Sequence, residues 1–168
     1  MGYVMKQKLT QEKLKRLLRY DPKTGHFYWR VARRGITKGM RAGYAVQRGY
    51  VYICIDRQMY LAHRLAWLYK KGGWPADELD HKNRRPSINK WSNLRLANST
   101  LNKINSNLNS KNTSGYKGVT WNKKLKKWCA RLYINKAPKA LGFYTNKKHA
   151  ALAYKLAAIK HYKEFAHV

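Results

Sequence analysis

The stretch Asp80-His81-Lys82-Asn83, followed by Ser92-Asn93-Leu94-Arg95 and then by Asn102, carries the reading of this chain. The chain has only seven acidic residues against thirty-seven Lys and Arg, and three of the seven lie in Asp77-Glu78-Leu79-Asp80. An acid beside a histidine, in surroundings this basic, is the arrangement of a metal ligand next to a general base. Hard divalent cations take oxygen ligands, and Asp80 offers a carboxylate and Asn102 an amide oxygen. A set of so few protein ligands leaves room for water and a phosphate oxygen. His81 would deprotonate an attacking water. Asn93 is expected to orient His81 by accepting from its Nδ1–H.

Local pattern places these residues on defined elements. Leu79 to Asn83 reads as an extended piece, and Arg84 to Lys90 as a loop. Alternation in Asn93-Leu94-Arg95-Leu96 predicts a short strand with both leucines on one face. Ser99 can cap a helix to about Asn109, with Leu101, Ile104 and Leu108 on its apolar side and Asn102, Asn105 and Asn109 on an adjacent polar stripe. Upstream, Leu61, Leu65 and Leu68 predict a helix over 60–71 that Gly72-Gly73 ends. His63 lies on that helix and reads as a packing or hydrogen-bonding residue.

Further upstream, Leu9, Leu14, Leu17 and Leu18 predict a helix over 9–19, capped by Thr10. Tyr20 to Gly25 signals a turn, and His26 to Arg30 a strand. Residues 31–43 are rich in Gly and Arg and read as a loop. Gly49 to Ile55 is a β run, turned by Asp56-Arg57-Gln58 into Met59-Tyr60-Leu61.

Residues 108–115 are the best linker. Beyond them, Tyr116–Trp121, Lys127–Ile134 and Ala140–Tyr144 read as three strands. Thr145 is expected to cap a helix from Asn146 to about His161, with Ala150, Ala153, Tyr154, Ala157 and Ala158 buried. This unit carries thirteen Lys and Arg against one acid, Glu164. The expected organisation is a basic helix/strand extension over 1–58, a catalytic core over 59–107, the linker, and a second unit over 116–168.

The net charge of +30 implies a polyanionic partner, with nucleic acid first and an anionic membrane surface as competitor. No apolar run reaches the roughly 18 residues that a spanning helix needs. Met1 to Lys6 lacks the apolar region of a signal peptide. Cys54 and Cys129 are too few and too far apart for a disulfide framework or a cysteine-based zinc site, so a reducing cytoplasm and no zinc are expected. A hydrophobic content of 44% argues against a disordered basic arm.

Taken together, Asp80-His81, Ser92-Asn93-Leu94-Arg95 and Asn102 resemble the ββα-metal motif of HNH endonucleases. His63-Arg64-Leu65-Ala66-Trp67 with Trp74-Pro75 resembles the segment before that motif in phage homing endonucleases. The resemblance spans roughly residues 60–110. It implies a metal-dependent DNA endonuclease with one Mg²⁺ or Mn²⁺ per site, held by Asp80 and Asn102, with His81 as base and Asn93 as its orienting residue. Where many relatives carry Asp-Asn in the loop, this chain has Ile88-Asn89. Tyr116-Lys117-Gly118-Val119, Lys127 to Arg131, Leu141-Gly142-Phe143 and an Ala-rich helix resemble an AP2 DNA-binding domain. That fold implies a three-stranded antiparallel sheet backed by one helix and laid on duplex DNA. Lys117, Thr120, Asn122, Arg131 and Tyr133 would face the DNA, with Lys126 and Lys127 on phosphates or simply solvated.

The expected fold class is therefore α+β, and the expected protein a monomer or weak dimer in the cytoplasm, that of a bacterial host if phage-encoded. It would need no small-molecule cofactor. The alternatives are a non-catalytic DNA-binding regulator and an RNA-binding protein.

Overall fold

The computed structural model describes residues 9–134 and 137–167. The opening segment Met1 to Lys6, read above for the absence of a signal peptide, lies outside them. The fold is α+β, with small sheets and, among the described residues, four α-helices. It divides into two units after Leu96.

The first unit starts with α1 (Gln11–Leu17), where Thr10 Oγ1 accepts from the Lys13 N–H at 3.2 Å. The helix stops short of the expected end at residue 19. Leu18 and Tyr20 enter the core at period two instead, as part of β1 (Leu18–Asp21). β1 pairs antiparallel with β2 (His26–Trp29), and β2 with β3 (Arg41–Ala42). A second sheet joins β4 (Tyr44–Ala45), β5 (Val51–Ile55) and β6 (Gln58–Leu61). Asp56 and Arg57 both take positive φ, +50° and +61°, as a two-residue hairpin turn requires. α2 (Ala62–Lys71) follows and ends at Gly72, left-handed at φ 85°, whose N–H bonds to the Leu68 carbonyl.

Leu14, Leu18, Phe27, Ile53, Ile55, Leu65 and Leu68 are the largest fully buried side chains of this unit, and Leu94 joins the same core. The expected boundary between residues 58 and 59 therefore does not separate two bodies. The hairpins before it and the helix after it bury one shared surface.

β7 (Glu78–His81) and β8 (Leu94–Ala97) make a two-stranded sheet. The expected leucine face of β8 is not formed. Leu94 is buried, but Leu96 is 43% exposed, and Arg95 between them is only 8% exposed. An ion pair, described below, holds the arginine inside.

The second unit begins with α3 (Ser99–Asn105). Asn98, rather than Ser99, is its cap, accepting from the Leu101 N–H at 2.9 Å. The helix ends at Asn105, four residues before the expected end, and Asn105 is buried rather than on a polar stripe. The Lys117 ammonium donates to the carbonyls of Ile104 and Ser106, which the helix end leaves without intrahelical partners. β9 (Val119–Asn122), β10 (Lys127–Ile134) and β11 (Ala137–Tyr144) form an antiparallel sheet with β10 central. α4 (Lys147–Tyr162) covers one face, capped by Asn146 rather than Thr145. Val119, Ala130 and Leu132 meet Ala150, Tyr154 and Ala158 there, while Ala153 and Ala157 are only partly buried. Gly118 permits this closeness. It sits at φ 64°, and a Cβ on it would lie 2.1 Å from the Tyr154 ring.

Candidate active site

β7 carries Asp80 and His81 to the edge of a loop, and the short turn Trp91–Asn93 returns the chain into β8. His81 is 5% exposed and Asn89, at the far end of the loop, is 2% exposed. Asn89 Oδ1 lies 2.9 Å from His81 Nε2. An amide oxygen only accepts, so Nε2 bears the proton in this assignment and Nδ1 carries the basic lone pair.

Asn93 is used differently from the expectation. Its Nδ2 donates to the Ile88 carbonyl at 2.7 Å and to Asn83 Oδ1 at 3.0 Å, and its Oδ1 accepts from the Asn83 N–H at 3.0 Å. Asn93 thus ties the loop shut across its base, and the amide against the His81 ring belongs to Asn89. A loop of this length has no repeating hydrogen-bond pattern, so it needs such side-chain ties to hold one shape. The only hint in the sequence was Asn89 itself, in the place where the resemblance leads one to expect Asp-Asn.

The β1–β2 hairpin supports the loop from behind. Tyr20 Oη donates to the Asn89 carbonyl at 2.7 Å, and burial raises the Tyr20 pKa, which keeps it a donor. The Trp91 N–H bonds to the Pro22 carbonyl at 3.1 Å. Gly25, at φ 80°, presses so close that a Cβ would sit 2.4 Å from the backbone of Asn89 and Lys90.

His63 and Tyr50 wall the other side of the imidazole. The His63 and His81 rings meet edge-on with centroids 5.0 Å apart, and Tyr50 lies 5.7 Å from His63 and 6.2 Å from His81. Burial, then the nearby His81 and Arg64, push the His63 pKa down to about 3. Burial also lowers the His81 pKa, against the raising effects of the Asn89 hydrogen bond and the Asp80 charge. Both rings are therefore neutral at neutral pH, and His81 is in the form that accepts a proton.

Asp80, 9% exposed, is joined to Arg95 from β8. Arg95 Nε donates to Asp80 Oδ2 at 2.8 Å, and Nη2 lies 2.7 Å from the same oxygen. A carboxylate has about four lone-pair directions, so an ion pair of this kind is compatible with a metal-ligand role. Asn102, half-buried, lies on α3 in the second unit. Among the described residues no group of three or more His, Cys, Asp and Glu is arranged to hold a metal ion. Asp80 offers a carboxylate oxygen, a donor of the kind a hard cation takes alongside water and phosphate.

This set of residues lies in one recognised segment. Residues 60–103 match the HNH endonuclease family model. The matched segment takes in α2, β7, the loop, β8 and most of α3, and with them His63, Asp80, His81, Asn89, Asn93, Arg95 and Asn102. A solved structure described as "DNA binding and cleavage by the HNH homing endonuclease I-HmuI" is similar at a TM-score of 0.43. Its identity to this chain is 18%, over 87% of this chain and 85% of that one. No curated protein matches. No helix among the described residues is long and apolar enough to cross a membrane.

In the second unit, strand register puts Thr120 opposite Cys129 and Cys129 opposite Phe143, on the face away from α4. Thr120, Arg131, Tyr133 and Phe143 are exposed, as are Lys126 and Lys127 at the hairpin. Two expected contact residues have other work. The Lys117 ammonium is bound to the end of α3, and Asn122 Oδ1 accepts from the Leu125 N–H at 2.9 Å to close the β9–β10 turn.

Proposed function

We propose that this chain is a metal-dependent DNA endonuclease of the homing type, hydrolysing phosphodiester bonds one strand at a time. The observation that carries the reading is His81, a buried neutral imidazole whose Nε2 is fixed by Asn89 and which follows directly on Asp80. The matching HNH segment supports hydrolysis, and the charge of +30 supports a polyanionic substrate.

In this reading His81 Nδ1 takes a proton from the attacking water. Asn89 keeps the ring in the tautomer that can do so, and Asn93 keeps Asn89 in place by closing the loop. Asp80 and Asn102 would hold Mg²⁺ or Mn²⁺, which supplies charge stabilisation on the leaving oxygen. The outward face of the AP2-like sheet, through Thr120, Arg131 and Tyr133, would lie on duplex DNA, with Lys126 and Lys127 near phosphates. One site per chain makes a single-strand nick the elementary event, so a double-strand break needs a dimer or two successive nicks.

The test is supercoiled plasmid incubated with wild type and His81→Ala, with Mg²⁺, with Mn²⁺ and with EDTA. Open-circle product from the wild type with metal alone is the expected result. Equal conversion by His81→Ala, or conversion in EDTA, would exclude the mechanism. Tight binding without any conversion would favour a DNA-binding regulator.

A further inference from the structure

Arg95 is the feature of the site that the mechanism above does not use. It is 8% exposed, on the strand beside β7, and both its Nε and its Nη2 reach one oxygen of the carboxylate assigned to metal binding. A guanidinium is a cation that offers its N–H donors in a fixed fork. The Arg95 charge thus offsets that of the Asp80 carboxylate it touches.

A divalent ion arriving at Asp80 would join a fixed positive charge a few ångströms away, in a place with little water to screen it. Asp80 would then share its single negative charge between two cations. A phosphodiester brings the missing negative charge, and its oxygens can accept from a guanidinium as well as bind the ion. We propose that Arg95 is a positioning residue that makes metal binding at Asp80 conditional on a bound phosphodiester. The free protein would carry little metal, and the site would fill on the nucleic acid. The inference rests on the metal role given to Asp80 above.

The probe is Mn²⁺ alone, titrated into protein and followed by the loss of the free-ion electron paramagnetic resonance signal. Every arm carries His81→Ala, so that added sheared duplex DNA stays uncut. Parallel arms with Asp80→Asn define the binding that belongs to this site. Without DNA, Arg95→Gln should bind Mn²⁺ more tightly than the Arg95 protein, by a factor in the range of about 5–150 typical of coupled sites. Duplex should tighten Mn²⁺ binding of the Arg95 protein by a similar factor and affect Arg95→Gln much less. Arg95→Lys, which keeps the charge, should retain the duplex dependence. This arm stands even where the neutral variant loses its circular dichroism signature of folding.

Equal Mn²⁺ affinity for Arg and Gln, equal duplex dependence in both, or loss of that dependence in Arg95→Lys would overturn the inference and leave the nuclease reading standing. Absence of any Asp80-dependent Mn²⁺ binding, with duplex present, would overturn the nuclease reading and the inference with it.

Discussion

The contact between Asn89 and His81 makes a prediction about direction as well as size. Replace Asn89 by Leu and, separately, by Asp. The hydrogen bond joins two buried groups at 2.9 Å and favours the protonated imidazole, as does the neighbouring Asp80 charge. Leu removes a neutral acceptor, a net loss of about 0.5–1.5 kcal/mol. At about 1.4 kcal/mol per pKa unit, the His81 pKa should fall further, by up to about one unit. Asp instead sets a carboxylate against the ring and should raise the pKa by about 1–3 units. The acid limb of the kcat/KM profile for plasmid nicking reports this group in the free enzyme. It should move to lower pH in Asn89→Leu and to higher pH in Asn89→Asp. The plateau should also drop in Asn89→Leu by about 10–100-fold, part of the 10²–10⁴ that a positioned base contributes. In Asn89→Asp, activity lost at pH 6 should return at pH 8–9. Limbs that stay fixed, or that move the same way in both variants, would refute the assignment of Nε2 as the held nitrogen.

Other perturbations probe the scaffold. His63 has a pKa of about 3 when folded against 6.5 ordinarily, so the unfolded chain takes up its proton first. Stability should hold above about pH 6.5 and fall below it by about 1.4 kcal/mol per pH unit for this group; urea denaturation of His63→Leu should show a shallower acid slope than wild type. Gly25→Ala should cost about 2–5 kcal/mol, from positive φ and from forcing the Asn89–Lys90 backbone aside; tryptophan-monitored unfolding that matches wild type would contradict the docking of the hairpin. Arg131→Met should lower the salt dependence of DNA binding by about one phosphate contact, whereas Lys117→Met should leave the salt slope unchanged and lower the melting temperature instead.

Much of the candidate site is legible because its signals are local. Asp80-His81 stands out against a nearly acid-free chain, the β run before Ile55 announces itself, and Gly72 ends its helix as its conformational freedom dictates. What stayed hidden depends on partners distant in sequence. Leu18 continues a helical pattern equally well and Tyr20 reads as the start of a turn; only the pairing of Leu18 with Trp29 and Tyr20 with Phe27 makes both strand residues. Arg95 reads as a polar outward position until Asp80 is placed beside it. The two loop asparagines cannot be told apart by type; Asn89 faces the imidazole because Tyr20, sixty-nine residues earlier, grips its carbonyl. Lys117 reads as a residue facing DNA because nothing in its own neighbourhood shows the open end of α3.

The grip of the β1–β2 hairpin on Asn89 also bears on how this candidate catalytic piece can be borrowed. A cassette cut at residues 59–107 would carry every side chain assigned to chemistry into a chimera, yet leave behind Tyr20, Pro22 and Gly25, which mould the loop around the base. Such a graft should arrive with its ligands intact and its imidazole loose. A portable version has to begin upstream of α1, so the basic leader is part of the tool and not its handle.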